Sequence, residues 1–144
     1  GGIGTATFHK ARFLRNDLGH DVTVVFTGPA QNGTSEEWRS HYAAVHGIAL
    51  LMLDDLPRNP DIPHHGAPWF LERSFRVHNW LREQEFDVIH FQDWQANGFV
   101  PVQAKQQGLA YGTTLLTCTL HSPQEWVDEG SRRFPEHGID DVLR

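Results

Sequence analysis

Cysteine is nearly absent. Cys118 is the single one in 144 residues, so no disulfide forms within the chain. It lies in an apolar run, and one buried thiol fits a reducing cytoplasm. Clusters of positive charge are missing as well. The formal net charge is −6, and no run of Lys or Arg exceeds the pair Arg132-Arg133, which argues against the concentrated basic face that nucleic-acid binding needs. A phosphorylated small molecule stays open, since a few backbone amides and one cation can hold it. Long apolar runs are missing too. The longest, Ile48 to Leu53, has six residues, far short of the roughly 20 that cross a bilayer. No signal peptide is visible, and Gly1 is not a natural start, so the true beginning is expected upstream.

What is present is ordinary in bulk. Hydrophobic residues are 39% and charged residues 21%, enough in one domain's length to bury a core. The unusual numbers are ten His and five Trp.

Periodicity gives an alternating order of elements. A helix is predicted over 5–18, with Ile3, Thr7, Ala11, Leu14 and Leu18 on one face and Gly19 as its stop. A β-branched strand over 21–26 comes next, then turns at Gly28-Pro29 and Asn32-Gly33. The second helix, 34–46, opens with a capping box of Thr34 and Glu37. A strand over 48–53 leads into a stiff loop, 54–68, holding Pro57, Pro60, Pro63 and Pro68. A third helix runs 69–84 with Phe70, Val77, Trp80 and Leu81 inward, and a strand runs 87–91. The next helix ends near Gln107 and begins near Asn97, because Pro101 must sit in its first turn or kink it. A strand over 113–120 precedes a last helix start at Ser122-Pro123-Gln124-Glu125.

That order predicts an α/β fold, a doubly wound parallel sheet of Rossmann type with helices on both faces. The chain opens on a glycine loop and a helix with no strand before them. The first strand of such sheets lies centrally, so a central strand is expected just upstream of Gly1.

Ligands of open parallel sheets bind outside the carboxyl ends of the strands. Three segments are expected at that rim: Gly1-Gly2-Ile3-Gly4-Thr5, Gln92-Asp93-Trp94 and His121-Ser122-Pro123. The first is a glycine-rich helix start, and residues 1–16 contain no acid to answer the helix dipole. Such a terminus suits a phosphate; the plainer alternative is a tight turn capped by Thr5 or Thr7. Asp93 reads either as an N-cap or as a carboxylate facing a sugar hydroxyl. Trp94 either stacks on a sugar ring or, the favoured reading, packs under the rim. His121 is not needed as a cap, since Ser122 supplies one, and it emerges as a ligand contact.

Metal chemistry is not expected. His64-His65 lies in the proline loop, His90 and Asp93 span strand and loop, and His41, His46 and His78 lack a ligand partner at helical spacing. A dinucleotide site also fails, because Thr7 replaces the third glycine and Thr27 stands where an acid should meet the ribose.

Three stretches together resemble the retaining glycosyltransferases of family 4, which have the two-domain GT-B fold of glycogen and starch synthases. They are Gly1 to Ala6 with the segment Leu18 to Val24, Phe86 to Gln95, and Leu116 to His121. The resemblance implies that residues 1–144 are a partial N-terminal, acceptor-side domain, and that a C-terminal nucleotide-sugar-binding domain lies outside them. Residues 127–144 would approach a later helix of the same domain. It further implies a nucleotide diphosphate sugar as donor, a carbohydrate or glycoconjugate as acceptor, and no cofactor. His121 would contact the transferred sugar and Asp93 would line the acceptor side. The Gly1-Gly2 loop would approach the diphosphate and the acceptor. Gln92 and Gln95 depart from the histidines usual in the synthases, which puts a glucan acceptor in doubt. A fragment of this kind would be inactive alone. The alternative from another class is a noncatalytic α/β ligand-binding or regulatory module. A second α/β domain with paired glutamates downstream would distinguish the transferase from it.

Overall fold

A computed structural model describes residues 2–28, 32–57, 69–121 and 130. The chain forms two compact units, Gly1–Pro57 and Arg58–Arg144. The elements run α1 (Ile3–Asn16), β1 (Thr23–Phe26), α2 (Ser35–His41), β2 (Ala49–Met52), α3 (Trp69–Leu81), β3 (Val88–Gln92), α4 (Phe99–Gln106) and β4 (Leu115–Thr119). This is the alternation read from the sequence. The helix expected at Ser122, most of the proline loop and residues 131–144 lie outside the described residues.

In the first unit β1 and β2 pair in parallel, Thr23 opposite Ala49 and Phe26 opposite Met52. Ala11, Ile48, Leu50, Met52 and Leu56 form its core. Helix α1 starts two residues earlier than expected, so Gly4 and Thr5 lie in its first turn rather than in a loop. It also ends earlier. Leu18 falls beyond it, where Gly19 turns at φ 72°, and is 54% exposed instead of continuing the inward face.

The Thr34 capping box forms in full: Thr34 Oγ1 accepts from the Glu37 amide at 3.2 Å, and the Glu37 carboxylate accepts from the Thr34 amide at 2.7 Å. Helix α2 then widens into a π turn, Tyr42–His46, closed by Gly47 at φ 64°. Phe8 of α1 meets the rings of Tyr42 and His46 edge-on at 5.7 and 5.0 Å. Asp55 braces the end of β2, accepting from the Met52 amide at 2.8 Å and pairing with Arg39 at 2.7 Å.

In the second unit β3 and β4 pair in parallel, Val88 opposite Leu115 and Gln92 opposite Thr119. Strand β3 alternates: Ile89 and Phe91 are buried, while Val88, His90 and Gln92 occupy the other face. Phe70, Val77 and Leu81 of α3 and Ala104 of α4 complete the core. Helix α4 begins at Phe99 with Pro101 buried in its first turn, where a missing N–H costs nothing. Ser74, fully buried, ties α3 to this start: its hydroxyl donates to the Asn97 carbonyl and accepts from the Val100 amide, both at 2.9 Å.

Cys118 corrects one expectation. It is exposed, at the strand position between Thr117 and Thr119, whose hydroxyls meet His90 on the opposite side. The buried-thiol argument for a reducing compartment therefore fails.

Tyr111 and His78 link the far end of α3 to the turn before β4, with His78 Nδ1 2.9 Å from the phenol oxygen. Burial, and secondarily Arg82, lowers the His78 pKa from 6.5, while burial pushes the Tyr111 phenol up to about 12. Both shifts limit stability. As pH falls below 6.5 the unfolded chain takes up a proton that folded His78 resists, so stability drops. As pH rises above 10.0 the unfolded chain loses a phenol proton that folded Tyr111 keeps, and stability drops again. Denaturant midpoints should therefore fall on both sides of that window, and Tyr111→Phe should flatten the alkaline limb.

Candidate functional site

The carboxyl ends of β3 and β4 carry polar groups bonded to one another. The Asp93 amide donates to the Thr119 carbonyl at 3.1 Å, extending the parallel ladder by one step. The Asp93 carboxylate oxygen Oδ2 accepts from the His121 amide at 2.8 Å. Asp93 therefore does not cap the turn after it, which has no side-chain cap. It fastens the chain leaving β4 to the chain leaving β3. His121 Nε2 in turn meets Oε1 of Gln92. Two of the three segments expected at the rim are in contact, through Asp93 and His121.

Beneath them lies a polar ladder. His90 Nδ1 is 2.7 Å from Thr117 Oγ1, and His90 Nε2 is 2.9 Å from Thr119 Oγ1. Cys118 lies on the other face. Partial burial, with the Asp93 charge, pushes its thiol above its ordinary pKa.

The turn after Asp93 is strained. Gln95 and Ala96 both adopt left-handed backbone, φ 65° and 48°, which costs a non-glycine residue about 1 kcal/mol each. Helix α3 holds this segment at two consecutive positions: Arg73 reaches the Gln95 side-chain oxygen, and Ser74 reaches Asn97 and Val100. Trp94, at the start of this turn, is 53% exposed. The expectation that it packs under the rim is overturned.

The glycine segment belongs to the first unit. Gly1 lies outside the described residues. Gly2 is the N-cap of α1 at φ 94°, ψ −167°, a region open essentially to glycine alone. A Cβ at Gly2 or Gly4 would meet nothing within 4 Å, so it is conformation, not crowding, that requires Gly2. Neither Thr5 nor Thr7 caps the helix: the cap has no side-chain bond, and Thr7 Oγ1 donates instead to the Ile3 carbonyl at 2.9 Å. The first turn of α1 holds no acid and its cap makes no side-chain bond, so neither answers the dipole of the first amides.

Among the described residues no three His, Cys, Asp or Glu side chains gather as a metal site, and no helix is long and apolar enough to cross a membrane. His64-His65 lies outside the described residues. Sequence reasoning placed Gln92 at this edge without giving it a role there, and missed Arg73 and Ser74 as supports. Gln92 was visible as a departure from the synthase pattern; the other two left no signal, because their partners depend on how α3 packs.

A family model described as "Glycosyl transferase 4-like domain" matches residues 1–138. No curated protein and no solved structure matches the chain.

Proposed function

The chain belongs to the glycosyl transferase 4-like domain family, and from that membership we propose that it forms the acceptor-side domain of a retaining glycosyltransferase. The enzyme moves a sugar from a nucleotide diphosphate sugar to a hydroxyl of a carbohydrate or glycoconjugate. The fold that goes with this reading is a doubly wound Rossmann-like sheet, the N-terminal half of a GT-B enzyme, partnered by a separate nucleotide-sugar-binding domain.

The observation that carries the reading is the junction of Asp93 and His121 at the ends of two parallel strands. Strand ends are where such sheets put their ligands. In the proposed roles His121 contacts the transferred sugar, Asp93 lines the acceptor side, and Trp94 offers a ring to a sugar face. Gly1, Gly2, Gly4 and Thr5 bring backbone amides to the diphosphate. Charge builds on that diphosphate as the glycosidic bond breaks, and fixed amides at a helix terminus stabilise it without reorganising. No metal or cofactor is needed for that step.

The test is transfer by the full-length protein. Incubated with a panel of nucleotide diphosphate sugars and glycan acceptors, it should release nucleoside diphosphate, form a product of unchanged anomeric configuration by NMR, and tolerate EDTA. Binding of a sugar with no turnover across the panel would favour a noncatalytic binding module instead.

A further inference from the structure

Two neighbouring residues hold one histidine in different ways. Asp93 fixes the His121 main chain through its amide, at 2.8 Å. That bond by itself sets no rotation of the imidazole about its side-chain torsions. Gln92 reaches the ring, its amide oxygen Oε1 facing His121 Nε2. The register explains why it can. Gln92 is opposite Thr119, the last residue of β4, and His121 lies two residues beyond it, within the reach of a long side chain. The Thr119 hydroxyl is itself bonded to His90 Nε2 at 2.9 Å.

We propose that Gln92 is a positioning residue that sets the rotation and tautomer of His121. The amide oxygen is an acceptor, so the ring nitrogen it faces must donate. In a neutral imidazole the single proton then sits on Nε2, and Nδ1 is the hydrogen-bond acceptor. Glutamine does this without adding charge, whereas a carboxylate at the same place would favour the imidazolium. In that tautomer the ring is held in one orientation and presents Nδ1 as the acceptor for a hydroxyl proton. This rests on the reading of His121 as a sugar contact and specifies which atom makes that contact.

The test reads the tautomer directly. Full-length protein labelled with ¹⁵N-histidine is examined by long-range ¹H–¹⁵N correlation, with His121 assigned from the spectrum of His121→Ala. The wild type should show Nε2–H on the neutral ring. Gln92→Leu should give a mixture of tautomers and lower kcat about fivefold or more, with KM changing less than twofold. Gln92→Glu, which keeps an acceptor oxygen at the same reach, should give Nε2–H on the neutral ring together with a larger imidazolium population than wild type. A wild-type ring protonated on Nδ1, or a Gln92→Leu ring indistinguishable from wild type, overturns the proposal. If Gln92→Leu does not fold, the wild-type tautomer and the Gln92→Glu spectrum decide it. A wild-type Nε2–H tautomer together with unchanged kinetics in His121→Ala would support Gln92's hold on the ring and sink the sugar contact alone.

Discussion

His121→Ala in the full-length enzyme is expected to lower turnover at least tenfold, about 1.4 kcal/mol in barrier, while the protein stays folded. The second half of that expectation comes from geometry. The bond from Asp93 is made to the His121 main-chain amide, which alanine retains, so β3 and β4 stay fastened at their ends. The ring is only partly buried and contributes little to the core. What the variant loses is the imidazole and its contact with Gln92. Steady-state kinetics beside a thermal melt separates the two effects: unchanged kinetics removes His121 from the site, and a collapsed melt would mean that the ring is structural.

Gly98→Ala should cost stability, about 1–2 kcal/mol. Gly98 has an ordinary backbone, φ −85°, so conformation is not the reason. An added Cβ would lie 2.8 Å from Phe91 Cγ and 2.9 Å from Cδ2, against a ring that is 7% exposed. Overpacking of this sort costs about 1–3 kcal/mol, partly offset by the roughly 0.4–1 kcal/mol that alanine saves by restricting the unfolded chain. Phe91 directly precedes Gln92 and Asp93, so a displaced ring also moves the site, and turnover should fall with stability. Urea unfolding of the variant checks this. A midpoint equal to or above that of the parent would mean that Phe91 yields without penalty.

The parts legible in the sequence were those fixed by local chemistry. Thr34 and Glu37 announced their capping box three residues apart, and Pro101 dictated where α4 begins because a proline ring fits only the first turn. The order of helices and strands along the chain came from apolar periodicity. What stayed hidden depended on tertiary placement. Gln95 and Ala96 have side chains that give no hint of left-handed backbone; the bonds that Arg73 and Ser74 make to this segment from α3 come from tertiary packing. Cys118 and Trp94 were misjudged because an apolar run and an aromatic ring both suggest burial, whereas exposure is decided by which helix lies above them. Asp93 and His121 were named as site residues, but their direct bond requires the register of two strands about 30 residues apart in sequence, which periodicity does not supply.

The His90 ladder acts as a vernier for strand alignment. Its two ring nitrogens engage hydroxyls two positions apart on β4, and one alignment alone presents Thr117 and Thr119 to them together. A slip by one residue would turn leucine and cysteine toward the imidazole, and a slip by two would substitute Leu115 or His121 for one of the threonines. Either mismatch strands a polar ring atom, at a penalty of about 1–3 kcal/mol. A histidine set in the ladder thus proofreads the pairing on which the spacing of Asp93 and His121, further along both strands, depends.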